Sequence, residues 1–168
     1  MKVHSKFIAF LLILIAFAGR SYGQQQSFVG NWLISQAKSS FGNVPFYTSV
    51  KQIQFKQDGD TVLIKSVSVN NANVADTSFS TYFIDGRSTE KLTNNKMKMK
   101  ASMRWSDETH AFLRTAEYFS EDDSKPLLKL NEIWSLSRDG KELTITKAVR
   151  DEVNAQYSYT TTAVFDKQ

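Results

Sequence analysis

The chain has 168 residues, 12% of them aromatic, with no cysteine and two histidines. Absent cysteine excludes disulfides and thiolate chemistry, so stability has to come from packing. The formal charge of +4 is carried largely by Lys2, Lys6 and Arg20 at the start of the chain. Without these three, acids and bases nearly balance, and a general nucleic-acid binder is not indicated.

Residues 1–23 read as a secretory signal. Lys2, His4 and Lys6 give a basic start, and Phe7 to Ala18 is an unbroken apolar run. That run has signal length and is too short to span a bilayer as a mature helix. Ser21 and Gly23 are the small residues a signal peptidase needs, which places the mature start at Gln24. The expectation is one exported domain over 24–168, in the periplasm or outside the cell, large enough for a core of its own.

Phe28 to Ile34 is followed by a polar stretch with one short helical turn near 35–40. Eight strand candidates then follow, at about 47–56, 61–70, 79–85, 95–105, 110–119, 127–137, 142–150 and 157–165. Asp58-Gly59, Asp85-Gly86 and Asp139-Gly140 supply the positive φ of tight hairpins. Ser106 to Thr109 and Glu121 to Ser124 read as polar loops, and Pro45 and Pro126 also fall in loops. The pattern predicts an all-β fold: an eight-stranded, mostly antiparallel up-and-down barrel. Closure leaves no exposed edge to aggregate.

The strand around Met99 alternates strictly. Met97, Met99, Ala101, Met103 and Trp105 form one face, and Lys96, Lys98, Lys100, Ser102 and Arg104 the other. Turn-derived registers extend the inner face. An Asp139-Gly140 loop sets Trp134 opposite Ile145 and Glu132 opposite Lys147. Phe119 facing Leu127 sets Arg114 opposite Glu132, Phe112 opposite Trp134 and Tyr118 opposite Leu128. Trp105 facing His110 sets Met103 opposite Phe112 and Ala101 opposite Arg114.

Arg114, Glu132 and Lys147 thus form a row of charges on the inner face. Two readings stand. The row is a self-satisfied ion cluster, or charges near a barrel mouth that reach water. Alternatively it anchors an anionic head group, with Arg114 as a bidentate fork and Lys147 as a point charge. In that reading Met97, Met99, Met103, Phe112, Tyr118 and Trp134 line the apolar remainder. The outer ribbon Lys96, Lys98, Lys100 and Arg104 is a solvated face, or a contact for anionic lipid head groups. Tyr157, Tyr159 and Phe165 pack the closing strand. His110 reads as part of an exposed turn. No metal-ligand spacing, phosphate loop or cofactor motif is present, and the only enzymatic reading is a lone Glu132 base.

Gly30-Asn31-Trp32 fits the Gly-x-Trp that opens lipocalin barrels. Together with Lys38 to Gly42, Tyr82 to Arg87, Trp134 to Ile145 and Val164 to Gln168, it resembles a family of small secreted bacterial lipocalin-like proteins. The resemblance implies a calycin-type barrel, an apolar ligand, and Gly30 and Trp32 as structural residues at one barrel end. Lipocalins place an Arg on the last strand over that Trp. Here Tyr157 to Phe165 has none, and Arg150 is the candidate substitute. The expected function is non-catalytic binding of a small, partly apolar ligand inside the barrel, an anionic one where the charge row is an anchor. The alternative is a filled barrel that works as an interaction or structural protein through its outer surface. Cavity volume separates the two.

Overall fold

Alternation in the sequence becomes alternation in burial. Along Lys98–Ser106, Met99, Ala101 and Met103 are buried while Ser102 and Arg104 are not. In this computed structural model the described residues are 27–44, 49–69, 74–93, 96–120 and 125–168. The signal segment, Pro45 and the Glu121 to Ser124 loop lie outside them.

Among the described residues ten strands form where the sequence predicts eight. They are β1 Gly30–Ile34, β2 Val50–Asp58, β3 Thr61–Val69, β4 Ala75–Phe83, β5 Thr89–Leu92, β6 Lys98–Ser106, β7 Ala111–Phe119, β8 Pro126–Leu136, β9 Glu142–Asp151 and β10 Tyr159–Lys167. The two additions have little pattern to read. β1 buries only Trp32, and β5 is four residues with three of them exposed. β4 spans 75–83 rather than 79–85. Pro126 opens β8, a strand position that needs no backbone donor. One 3-10 turn, Gln36–Lys38, sits where a helical turn is expected, and Tyr157 ends a second, Ala155–Tyr157, instead of joining the closing strand.

All pairings are antiparallel, in the order β4-β3-β2-β1-β10-β9-β8-β7-β6-β5. The β8–β9 register agrees with the turn-derived one: Trp134 faces Ile145 and Glu132 faces Lys147. So does most of β7–β8, with Arg114 opposite Glu132 and Phe112 opposite Trp134. At its end a bulge after Tyr118 sets Phe119 opposite Pro126, not Leu127. The β6–β7 register differs by two residues. Met103 faces Arg114, Trp105 faces Phe112 and Ala101 faces Ala116. Ser106 pairs with Ala111 across a four-residue loop, and His110 takes a left-handed φ of 48° inside that loop rather than joining the ladder. A shift of two preserves the face, so the inner residues stay inner.

One barrel end is packed solid. Phe28, from the segment before β1, lies against Phe55, Trp105 and Phe112 with ring centroids 5.6, 6.1 and 4.8 Å away. Trp32, Phe55, Met103, Leu143 and Phe165 are essentially inaccessible beside them.

The ring does not close fully. Asp85-Gly86 makes no hairpin, because β4 and β5 are the two edges of the sheet. At the packed end the Trp105 and Gly86 amides donate to the Ile84 and Met103 carbonyls at 3.1 Å each, joining the β4–β5 connection to β6. Further along β4 and β5 only a side chain crosses: Lys91 Nζ donates to the Phe79 carbonyl at 3.3 Å and to Ser80 Oγ at 3.0 Å. β5 is short and charged, an ordinary way to blunt an edge.

Candidate functional site

Beyond the aromatic floor, the barrel holds a cavity of about 740 Å³. Its floor is a polar network spanning three strands. Arg114 of β7 donates through Nε to the Tyr82 hydroxyl of β4 at 2.8 Å, and its NH1 lies 3.0 Å from Glu132 Oε2 on β8. The same carboxylate oxygen accepts from Trp134 Nε1 at 2.8 Å. The Arg114 and Glu132 side chains are only 12% and 10% exposed, and both line the cavity. Burial pulls the Arg114 pKa down, but Glu132 and the Tyr82 hydroxyl push it up by more, so the guanidinium stays charged.

Lys147 differs from its two neighbours in the row. It stands opposite Glu132 on β8 and Thr161 on β10 and lines the cavity. Its ammonium has no ion pair or hydrogen bond among the described residues. Glu132 is therefore not shared between two cations. It belongs to Arg114 and Trp134, and Lys147 is the cation left over. Tyr118, Tyr159 and Thr161 line the cavity as well. Burial raises the Tyr159 pKa, with a smaller push from Tyr118.

Seven of the nine inner residues named from the sequence line the cavity: Met97, Met99, Arg114, Tyr118, Glu132, Trp134 and Lys147. Met103 and Phe112 do not. They sit one layer deeper, in the packed end with Phe28 and Trp105. Sequence reasoning missed the opposite wall, where Ser66 of β3 and Asp76, Ser78, Ser80 and Tyr82 of β4 face in. It also missed Lys91 at the edge. Thr77 and Thr81 are polar as well, so no alternation in the sequence marked that wall.

At the packed end Trp32 is fully buried, and its Nε1 donates to the Phe28 carbonyl at 2.9 Å. The cation over its ring is not Arg150, which is exposed and paired with Glu152 on the outer face. It is Lys167 Nζ, 5.2 Å from the ring centroid, because β10 runs on past Phe165. Gly30 makes room for it: a Cβ there would lie 3.0 Å from Lys167 Cε, at a φ of 151°.

The outer basic ribbon is broken up. Lys96 is in a turn with φ 60°, ahead of the strand. Lys98 and Lys100 reach Glu90 of β5 at 3.5 and 3.7 Å.

No protein-family model matches the chain, and no curated protein matches its sequence. Among solved structures, a point mutant of the fluorescent protein UnaG aligns with a TM-score of 0.53 at 12% identity, over 83% of this chain and 95% of that one. The fold is that of a calycin barrel. A zebrafish ileal bile acid-binding protein complexed with cholic acid aligns at TM-score 0.48 and 14% identity, over 84% of this chain and 98% of that one.

Proposed function

We propose that this calycin barrel is a non-catalytic binding protein for a small amphipathic anion, held in the interior cavity. The cavity carries this reading. At about 740 Å³ it falls within the roughly 300–1,000 Å³ of ordinary small-molecule sites, which a filled barrel would not offer. Met97, Met99, Ile53 and Ile145 give it apolar surface, and Lys147 gives it a cation without a partner among the described residues. An anionic group beside Lys147, within reach of the Tyr118 and Tyr159 hydroxyls, would satisfy that charge with charge-assisted bonds. Arg114 serves as the rigid floor beneath it, already committed to Glu132 and Tyr82.

The basic start, apolar run and small residues of 1–23 support export of the barrel ahead of this role.

Titration with anilinonaphthalene sulfonate, an apolar fluorescent anion, tests the reading. Saturable one-to-one binding is expected. Lys147→Ala should weaken it about tenfold, the equivalent of one charge-assisted hydrogen bond, and Lys147→Arg should retain it. A folded protein that shows no saturable binding would overturn the assignment.

A further inference from the structure

Strand β4 is an edge without the usual protection. Its nine residues, Ala75–Phe83, pair with β3 in an unbroken register, and no strand among the described residues pairs with its other side. It carries no proline and no lysine, and Asp76 near its start is its one charge. Edges of this length are ordinarily interrupted by such residues, because their open amides and carbonyls accept another chain. The Phe79 carbonyl is turned toward the seam with β5, where it accepts from Lys91 Nζ. Backbone groups alternate between the two sides of an antiparallel strand, so the amides of Thr77, Phe79 and Thr81 open to the seam as well.

The seam has a width and two lips. β4 and β5 make no backbone bond to each other, so it is wider than the ~4.8 Å of paired strands, and the stem of Lys91 crosses it. On the cavity side Lys91 is bonded only to uncharged oxygens, the Phe79 carbonyl and Ser80 Oγ. No carboxylate pairs with it among the described residues. On the outer side Phe79 is 70% exposed, and Leu92, next to Lys91 on β5, is 73% exposed.

We propose that the seam takes one extended segment of another polypeptide, added as a strand along β4. Backbone bonds to Thr77, Phe79 and Thr81 supply its affinity, and its alternate side chains supply its specificity. The inward set meets Lys91, which favours a carboxylate there. The outward set lies between Phe79 and Leu92, which favour an apolar side chain. A second copy of the barrel does not fit. Its edge strands are each held to a sheet along one side, whereas the seam is walled on both sides, by β4 on β3 and by β5 on β6. This surface is separate from the cavity site and requires no ligand within it.

The probe is a fluorescein-labelled peptide the length of β4 that alternates valine with threonine and carries one central glutamate. Fluorescence anisotropy should show saturable binding, about tenfold weaker when lysine replaces the glutamate. Lys91→Glu should reverse that preference. Thr77→Pro removes a seam-facing donor and none from the β3 ladder, so the barrel should stay folded and lose at least about tenfold in affinity. If that variant fails to fold, methylating the peptide amides that face β4 makes the same test from the other side. Amide exchange followed by NMR should slow at Thr77, Phe79 and Thr81 when the peptide saturates. No saturable binding, or equal binding by the methylated peptide, would overturn the proposal. So would protection that falls on the cavity walls, which would place the peptide inside the barrel. Protection of the same three amides in the protein alone, lost on dilution, would give the edge to a second copy and overturn it too.

Discussion

Trp32 and Lys167 make unequal contributions to the same contact. The indole is fully buried and satisfies its own donor on the Phe28 carbonyl. The ammonium above it is exposed. Trp32→Ala should therefore lose ~3–5 kcal/mol in urea unfolding, and Lys167→Ala no more than ~1 kcal/mol. Comparable losses would mean that the cation, and not burial, fixes the indole. Glu132→Gln makes a second test at this scale. It leaves the largely buried Arg114 with no carboxylate, and the loss should be ~3 kcal/mol, at the low end for a broken buried pair because the guanidinium lines the cavity. Lys147→Ala should leave stability nearly unchanged, since no partner among the described residues is lost. If Lys147→Ala destabilises as much as Glu132→Gln, the row is one ion cluster after all.

The β8–β9 hairpin shows how an element can be read before it is seen. Asp139-Gly140 has the turn chemistry, Gly140 takes φ 69°, and the register follows directly. Asp139 also holds the turn together. Its carboxylate accepts from the Ser137 hydroxyl at 2.7 Å and from the Lys141 amide at 3.1 Å, and these bonds, the hydroxyl first, keep its pKa below the usual carboxylate range. A depressed acid contributes stability above its unfolded pKa and loses it as the pH falls through the folded value. Asp139→Ala should thus destabilise at pH 7 and by a smaller amount at pH 2, measured by urea unfolding at both. An equal loss at both would assign the effect to turn geometry alone. The elements that were not legible lack such signals. β5 has no apolar alternation, and the β6–β7 loop hides its length behind His110. β4 is exposed at every position from Ala75 to Phe79, so its first half carries no alternation to recognise.

At the scale of the molecule, the all-β class, antiparallel neighbours and an inner face shared by Met99, Arg114, Glu132 and Lys147 all follow from period-two patterning. Strand count does not, nor does the division of the interior into a solid end and a hollow one. That division depends on Phe28, outside any strand, filling one mouth. Met103 and Phe112 fall on its far side for that reason. Two whole-protein measurements follow. Exported protein should have the intact mass of a chain beginning at Gln24, and a mass retaining residues 1–23 would refute the signal reading. A ligand that occupies the cavity should raise unfolding free energy by about 2.7 kcal/mol at a hundred times its dissociation constant. A true ligand that leaves unfolding unmoved would have to bind elsewhere.

The seam between β4 and β5 falls in mid-chain, while the first and last strands lie side by side: the Gln168 amide donates to the Asn31 carbonyl at 2.9 Å. Pairing β1 with β10 is the one step that must wait for the whole chain, and it carries the loop-closure entropy of the entire domain. A circular permutant that links residue 168 back to 27 by a short flexible peptide and opens at Arg87-Ser88 would turn that step into a local hairpin. Every strand neighbour would then also be a neighbour in sequence, as in a simple meander. Such a chain should fold faster than the natural one, as lower contact order demands, while the cavity keeps its walls.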